Sequence, residues 1–449
     1  MNLKKVLTLV LAGTMCVSAL TACGGSKDSA ESNNDGAAQE TESKDDAAAS
    51  ESGDSTNLVM AWWGNQVRNE RTQQALDKYH ELHSDVTVEG QFFQWDDYWS
   101  KLATSAAGKN MPDLIQMDYK YMDQYVNNGQ LLDLTPYIES GALDTTNIPE
   151  NVLEMGVVGE GNYAIAAGIN APCLFYNKTV TDELNIEMKD NMTMDEFVEI
   201  AQKVSDETGY RVKMLQADNY LTEWSRAEGM PIVEAKMPVD SADAYVPYFQ
   251  LLEDGVKNGW HITPDCVDAT GQETDPLVYG SSPSTMAWAT INGGSNLLKS
   301  FQAAAPEGME IGMTTIPTSD TSKSNYLKPA MYFAISADTK NPDAAVAVLD
   351  YLINSTEANE ILLGERGVPA STAVADAIYD KIGPEEQKSF DYITDVITPN
   401  CSPINPPDPD GSSELLDTLK KVHEKLGYGE CTAQEAAEEY YNKGMEIWG

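Results

Sequence analysis

The chain has 449 residues, with 71 acidic and 29 basic side chains and a formal net charge of −42 at pH 7. A surface this acidic repels nucleic-acid phosphates and anionic lipid headgroups, so we predict that no nucleic acid is a partner. The length exceeds what one hydrophobic core accommodates and is consistent with two.

The first 22 residues have the features of a secretory signal peptide. Lys4 and Lys5 precede an apolar stretch, Val6 to Leu20, that is too short to span a bilayer. The stretch ends in Leu-Thr-Ala-Cys-Gly at 20–24, which resembles the bacterial lipoprotein signal, where cleavage precedes a cysteine that is then lipidated. We therefore predict a signal peptide at 1–22 and lipid on Cys23. A short apolar helix followed by a chance cysteine is the alternative.

The next segment has a different composition. Residues 24–56 contain no aromatic residue and no Val, Ile, Leu or Met. Such a segment cannot bury enough apolar surface to offset the entropy of ordering, so we predict that 23–56 is a disordered acidic tether. As a flexible coil it spans roughly 30 Å. The folded part is thus expected at the outer face of the bacterial cell membrane, attached through the lipid.

The folded part opens with a βαβ pattern. Leu58 to Gly64 is an unbroken apolar run, as in a strand with both faces covered. A helix is predicted over 68–83 and a second strand over 86–89. Ligands of such sheets bind beyond the carboxyl ends of the strands, where Trp63, Gly64 and Asn65 follow the first strand.

The pattern continues with two further elements that end in candidate site residues. An aromatic-rich segment, 92–102, contains Trp95 and the predicted start of a helix. A turn and strand over 111–118 place Asp118 at a strand end, and a helix is predicted over 120–127. The chain then reads Gly-Gln-Leu-Leu-Asp-Leu from Gly129.

This order of elements resembles the extracellular solute-binding proteins of carbohydrate ABC importers, the broad family that contains maltose-binding protein. Later segments carry the same likeness, including a crossing segment, a Tyr-Asn-Lys motif and a late strand and helix: 163–168, 174–178, 193–197, 286–293, 311–317, 331–335, 342–354 and 366–369. The resemblance covers essentially all of 58–449.

The resemblance implies an α/β, two-lobed, type II periplasmic-binding-protein fold with crossing hinge strands and a ligand cleft between the lobes. On this basis we assign 57–168 and 287–329 to the N-terminal lobe. We assign 169–286 and 330–449 to the C-terminal lobe. Closure by hinge bending follows from contacts that the ligand makes to both lobes.

A sugar ring has an apolar C–H face and a rim of hydroxyl groups, so its site needs flat aromatic side chains with charged or amide groups. Residue chemistry and position in the family predict contacts from these eleven residues: Trp63, Asn65, Arg68, Trp95, Asp118, Tyr119, Asn170, Trp224, Trp288, Tyr332 and Arg366. Trp62, on the opposite face of its strand, is expected in the core, as are Trp99, Trp260 and Trp448.

Three of these assignments have structural alternatives that remain open. Trp95 is also typical of a core residue packed with Phe92. Asp118 is also typical of the N-cap of the next helix. Arg68 is suited to a uronic acid carboxylate, and also to an ion pair with Glu70 or Asp96.

The sequence has no Gly-x-Ser-x-Gly motif and no P-loop, and no pair of its cysteines has metal-ligand spacing. His80 and His83 are three apart on a predicted surface helix, where a metal could bind, but no third ligand is apparent, so a solvated helix face is the preferred interpretation. We therefore predict a monomeric protein that is not an enzyme, needs no cofactor or metal, and delivers a carbohydrate, most simply an oligosaccharide, to the transmembrane subunits of an ABC permease. The alternatives are a secreted carbohydrate-active hydrolase that uses Asp118 and a sugar-sensing partner of a membrane kinase. Four cysteines of the folded part form either disulfides or free thiols: Cys173, Cys266, Cys401 and Cys431.

Overall fold

The structure is a computed structural model that describes residues 55–214, 219–266, 275–278 and 286–449. The predicted signal peptide, Cys23 and almost all of the predicted tether lie outside the described residues. None of the helices in the described ranges is long and apolar enough to cross a bilayer.

The described strands form two larger sheets and one short hairpin. The strands are β1 (Thr56–Trp63), β2 (Val86–Phe93), β3 (Leu114–Met117), β4 (Val157–Val158), β5 (Gly161–Asn162), β6 (Ala164–Asn170), β7 (Cys173–Asn177), β8 (Arg211–Lys213), β9 (Ala287–Asn292), β10 (Ile311–Thr314) and β11 (Lys328–Ile335).

Helices cover both sheets. They are α1 (Gln66–Leu82), α2 (Trp95–Ala107), α3 (Tyr119–Asn127), α4 (Thr135–Ser140), α5 (Glu150–Leu153), α6 (Lys178–Glu183), α7 (Met194–Thr208), α8 (Asn219–Ala227), α9 (Val246–Lys257), α10 (Leu298–Ala304), α11 (Thr321–Ser324), α12 (Pro342–Asn354), α13 (Thr356–Leu362), α14 (Thr372–Ile378), α15 (Pro384–Asp391), α16 (Ser412–Gly427) and α17 (Ala433–Trp448). A π-helical turn, Tyr392–Ile397, follows α15.

The first sheet has the strand order β2-β1-β3-β11-β6. β1 is parallel to β2 and β3, and β11 runs antiparallel to both β3 and β6. Residues Met60 to Trp63 of β1 are all buried, which confirms the prediction of a strand covered on both faces. α1 begins two residues before the predicted start because the Asn65 side chain accepts a hydrogen bond from the Arg68 backbone N–H and caps the helix.

The second sheet has the strand order β10-β7-β9-β8. β7 is antiparallel to both β9 and β10, while β8 and β9 are parallel. Helices α9, α16 and α17 pack on one another around the second core, whereas α12 and α13 pack against α1 in the first. The type II, two-lobed α/β fold is as predicted.

The predicted lobe boundaries after residue 286 are wrong. We placed 287–329 in the N-terminal lobe, yet β9 lies inside the second sheet, between β7 and β8, and β10 is an edge of the same sheet. We placed 330–449 in the C-terminal lobe, yet β11 lies between β3 and β6 in the first sheet. The Ala287–Asn292 strand is buried because it is internal to the second sheet, and its apolar composition does not show which of the two sheets it joins.

Within the ranges that the structure describes, the chain passes between the two sheets at three places. The first crossing joins β6 to β7 through Ala171 and Pro172, and the second, 315–327, joins β10 to β11. The third, 398–411, joins the π-helical turn to α16 and contains five prolines between 399 and 409. We call this third crossing the strap.

Candidate functional site

Aromatic rings gather at the carboxyl ends of β1 and β2. The ring centroid of Trp63 lies 5.0 Å from that of Trp95, 5.5 Å from that of Trp99 and 5.2 Å from that of Tyr98. Trp99 in turn lies 4.0 Å from Tyr121. We call these five residues the aromatic cluster. Edge-to-face and tilted contacts at such distances are favourable for aromatic rings, so the five rings stabilise one another.

Trp95 is the most exposed ring of the cluster. Trp95 is 39% exposed, whereas Trp63 is 9% exposed and braces it from below. Trp62 is fully buried on the opposite face of β1, where its indole N–H donates to the Asn69 side chain at 2.9 Å. The alternation of side chains along a strand thus sends one tryptophan to the core and its neighbour to the strand end, as the sequence predicts.

Arg68 and Glu365 form an ion pair beside the cluster. The Arg68 Nε lies 2.5 Å from a carboxylate oxygen of Glu365, and its Nη1 donates to the carbonyl oxygen of Trp63 at 3.2 Å. The structural alternative for Arg68, an ion pair, was therefore right in kind, but the partner Glu365 lies far along the chain and is not Glu70. Asn65, the residue that caps α1, is exposed in the same loop.

Arg366 lies beneath this loop and is almost completely buried. Its Nε donates to the Gln116 side-chain oxygen and its Nη2 to the Thr72 hydroxyl, both at 2.9 Å, while Nη1 has no partner among the described residues. Gln116 in turn donates to the Trp63 carbonyl at 3.1 Å. Burial, followed by the nearby charge of Arg68, lowers the pKa of Arg366 to about 9, so the guanidinium is still charged at neutral pH.

Asp118 and Tyr119 lie where β3 ends and α3 begins. The Asp118 carboxylate accepts the Lys120 backbone N–H at 2.9 Å and caps α3, which is the structural alternative weighed for it. The Tyr119 hydroxyl donates to the Asn405 carbonyl of the strap at 2.6 Å. Burial, then Asp123 and Asp408, raise the pKa of Tyr119 to about 12, so the hydroxyl remains a donor.

Asn170 ends β6 at the first crossing. It is 8% exposed, and its side-chain oxygen has no hydrogen-bond partner among the described residues. It pairs in register with Lys328, which is exposed at the start of β11. A buried amide oxygen without a partner at the lobe junction is consistent with a ligand contact.

Three predicted site residues lie elsewhere. Trp288 is fully buried and stacks on Phe197 in the second core, and Trp224 packs against Tyr245 and Tyr248 in the same core.

Tyr332 is also fully buried, and its hydroxyl donates to the Met155 carbonyl. The prediction that these three residues line the cleft is wrong, because each lies on a strand or helix face that is turned into a core. Trp63, Trp224 and Trp288 therefore do not share a cavity.

Three members of the aromatic cluster were not predicted as site residues: Tyr98, Trp99 and Tyr121. Trp99 was assigned to the core and Tyr121 was not considered. The spacing Trp95-x-x-x-Trp99 puts both rings on one face of α2, and this was the available signal. Tyr121 joins them from α3, a contact between helices that sequence spacing does not specify.

The strap is held to the second lobe by Arg226 of α8. Its guanidinium donates to the Ser402 hydroxyl at 2.5 Å, to the Pro403 carbonyl at 2.9 Å and to the Asn405 side-chain oxygen. It also lies 4.6 Å above the Tyr326 ring of the second crossing. Sequence analysis did not identify this residue, which fixes two crossings at once.

One cavity lies beside α2 and another beside α3. One, of about 610 Å³, lies beside β2 and α2 and is lined in part by Phe93, Tyr98 and Lys101. The other, of about 520 Å³, lies between α3, residues 151–159 and the strap. No group of three or more potential metal ligands occurs in the described ranges. The four cysteines are free thiols, so neither disulfide forms.

Residues 63–359 match the family described as bacterial extracellular solute-binding protein. The chain belongs to this family. Members of it bind solutes for ABC transport outside the cytoplasm, so the predicted family and its extracytoplasmic location are confirmed.

Solved structures with a similar fold include two further solute-binding proteins and one receptor. A family 1 extracellular solute-binding protein from Alicyclobacillus acidocaldarius has a TM-score of 0.76 at 22% identity, covering 88% of this chain and 99% of that one. A periplasmic oligogalacturonide-binding protein from Yersinia enterocolitica has a TM-score of 0.70 at 20% identity, covering 88% and 99%. The GacH receptor of Streptomyces glaucescens has a TM-score of 0.63 at 19% identity, covering 88% of this chain and 98% of that one. At these identities the likeness shows the fold.

Proposed function

We propose that this solute-binding protein is the membrane-anchored component of an ABC importer that captures an oligosaccharide between its lobes and delivers it to the permease. The observation that carries the proposal is the aromatic cluster, which presents the exposed Trp95 at the carboxyl edge of the first sheet. A flat, braced indole offers area to a sugar face at little cost in side-chain entropy.

The ligands of structural neighbours support a sugar as the solute. One structure of the Yersinia protein contains saturated digalacturonic acid, and the GacH receptor has been solved with acarbose. Both are oligosaccharide-like ligands, one acidic and one not. They favour a carbohydrate here and leave its charge open.

Binding without catalysis is part of the proposal. Neighbours of comparable likeness include a designed esterase, with a TM-score of 0.72 at 21% identity, so the fold alone does not decide the question. The feature that weighs against the hydrolase alternative is the engagement of Asp118 as a helix cap, which commits the carboxylate to the Lys120 N–H. A sensing role beside a membrane kinase would use the same sugar site and is separated by a transport assay on intact cells.

The test compares Trp95→Ala with Phe92→Ala. Phe92 is 50% exposed on β2 and contacts Trp62 on the other face of the sheet, so it is a matched exposed aromatic outside the cluster. Titration calorimetry with oligosaccharides should show that Trp95→Ala weakens binding about tenfold or more, since losing a large apolar contact costs about 1.5–3 kcal/mol. Phe92→Ala should leave the affinity unchanged.

Two outcomes would contradict the proposal. Equal affinity of Trp95→Ala and the unchanged protein would remove the cluster from the site. Turnover of an oligosaccharide that is lost in Asp118→Asn would make the protein an enzyme. The anchor is tested separately, since Cys23→Ala should release the protein from the membrane fraction into the medium.

A further inference from the structure

The Gln116 amide lies between two groups of opposite hydrogen-bonding character. Its side-chain oxygen accepts from the Arg366 Nε at 2.9 Å, and its nitrogen donates to the Trp63 carbonyl at 3.1 Å. A guanidinium can only donate and a carbonyl can only accept, so one orientation of the amide satisfies both groups and the flipped one satisfies neither. Gln116 is fully buried, where an unsatisfied polar group is costly. Arg366 therefore fixes the orientation of a donor that holds Trp63.

The Arg366 guanidinium is itself held by three elements of the first lobe. Besides its bond to Gln116 of β3, it donates to the Thr72 hydroxyl of α1 at 2.9 Å, and its Cζ lies 5.1 Å from the centroid of the Phe333 ring of β11. Both acceptors are neutral, and a buried charge without a hydrogen-bonded anion is costly. An apolar side chain would fill the same space at lower cost. The arginine is thus explained by the hydrogen bonds that it directs and not by packing.

The backbone beside Arg366 is attached to the strand that leads into the first crossing. Ile169 of β6 and Val368 exchange two backbone hydrogen bonds, at 2.8 and 3.1 Å. A Cβ on Gly168 would lie 2.0 Å from the Arg366 carbonyl oxygen, so this close approach requires a glycine. A path of direct contacts from the first crossing to Trp63 therefore runs through the side chain of Arg366.

We propose that Arg366 is a positioning residue for the sugar site, which holds Trp63 in place by orienting the Gln116 amide. This inference rests on the proposed function. Trp63 braces the exposed Trp95, with ring centroids 5.0 Å apart, so a shift of the Trp63 backbone moves the ring that is offered to the sugar. In this role Arg366 acts on the sugar only through Gln116 and the aromatic cluster.

The first experiment labels the eight tryptophans of the full chain with fluorotryptophan and records fluorine NMR spectra without ligand. Single replacements by phenylalanine assign the resonances of Trp63, Trp95 and Trp260. Gln116→Glu is the decisive variant, because an ionised carboxylate still accepts from Arg366 but has no hydrogen to donate to the Trp63 carbonyl. The resonances of Trp63 and Trp95 should shift. That of Trp260, in the second core, should not.

The second experiment measures affinity by calorimetric titration with maltotriose and with trigalacturonate. Gln116→Glu and Arg366→Met should each weaken binding about threefold to tenfold, the effect of one hydrogen bond, because Arg68 still donates to the Trp63 carbonyl. Arg366→Lys should recover part of the loss, since an ammonium is also a donor only. Gln116→Glu should unfold at the same urea concentration as the unchanged protein, because its carboxylate pairs with Arg366.

Arg71→Met is the matched control. The Arg71 Nη1 donates to the Leu362 carbonyl at 3.1 Å, so this arginine joins α1 to the end of α13, close in sequence to Arg366. Its replacement removes an arginine between the same two segments, while the Gln116 amide keeps its donor. The tryptophan resonances and the sugar affinity should both remain those of the unchanged protein.

The failures of the two proposals are distinguishable. Unshifted Trp63 and Trp95 resonances in Gln116→Glu, or equal losses of affinity in Arg366→Met and Arg71→Met, would overturn the positioning role and leave the sugar-binding function standing. If Arg366→Met does not fold, Arg366→Lys and Gln116→Glu decide in its place. If the unchanged protein binds no oligosaccharide, the proposed function is overturned and this inference with it, whatever the fluorine spectra show.

Discussion

At the scale of single residues, His423 shows how a buried polar side chain affects stability. It lies on α16, 7% exposed, with its ring 5.6 Å from Tyr248 and 5.9 Å from Phe249. Neither ring nitrogen has a hydrogen-bond partner among the described residues. Burial, then the proximity of His261, lower the pKa of His423 to about 3. The folded protein therefore holds this imidazole neutral.

We predict that His423→Leu makes the protein less sensitive to acid. Because the folded pKa is below the ordinary value of about 6.5, the unfolded chain takes up a proton between about pH 6.5 and pH 3 that the folded chain does not. His423 therefore lowers the free energy of unfolding as the pH falls, by about 2 kcal/mol at pH 5. Urea unfolding at pH 7 and pH 5 should show that the free energy of unfolding falls less between these two pH values in the variant than in the unchanged protein. An equal loss in both proteins would contradict the prediction.

We also predict that Lys213→Met strongly destabilises the second lobe. The Lys213 ammonium lies 2.6 Å from the Asp275 carboxylate, and both side chains are less than 10% exposed. Removing one partner of a buried ion pair leaves the other charge uncompensated, which costs about 3–5 kcal/mol.

Lys257→Met is the control for this variant, because Lys257 is 64% exposed in an ion pair with Glu253. It should change the free energy of unfolding by about 0.5 kcal/mol or less. Chemical denaturation of Lys213→Met and Lys257→Met measures the change in the free energy of unfolding for each variant. Similar effects of the two substitutions would mean that the buried pair is solvated in the folded protein.

At the scale of elements, the loop from Trp63 to Arg68 combines a predicted site with a helix start. Asn65 caps α1 by accepting the Arg68 N–H at 2.9 Å. The capping box of α7, from Thr193 and Glu196, is the same device elsewhere in the chain. The Asn65 cap therefore fixes the geometry of this loop together with the hydrogen bonds that Arg68 and Gln116 donate to the Trp63 carbonyl.

We predict that Asn65→Ala lowers the free energy of unfolding by about 1 kcal/mol, while Asn65→Asp has little effect because a carboxylate also caps. Thermal unfolding monitored by circular dichroism gives the comparison. If Asn65 is instead only a ligand contact, both variants would unfold at the same temperature as the unchanged protein and differ from it in sugar affinity alone.

Local patterns predicted some elements well and others poorly. The βαβ opening was recognised because its apolar run, helix period and strand ends are local features. The Ala287–Asn292 run was misplaced because an apolar strand has the same composition in either sheet, and its partners Cys173 to Tyr176 and Arg211 to Lys213 are distant in sequence. The same limit applies to the site. Trp224 and Trp288 are aromatic, but only tertiary packing shows that they face a core.

At the scale of the whole molecule, the two sheets are joined by three crossings, and this architecture was predictable only in outline. The order of motifs was sufficient to indicate two lobes. The positions of the second and third crossings could not be predicted from the sequence, because they depend on which sheet receives β11 and on where the strap runs. The aromatic cluster likewise needs α2 and α3 side by side.

The strap residue Asn405 has a consequence for motion. Its carbonyl accepts from Tyr119 of the first lobe while its side chain accepts from Arg226 of the second. A swing of one half of the molecule relative to the other can keep both bonds only if the pivot passes close to this asparagine. Atoms there should barely move when the molecule opens, and the displacement of other atoms should grow with their distance from this asparagine.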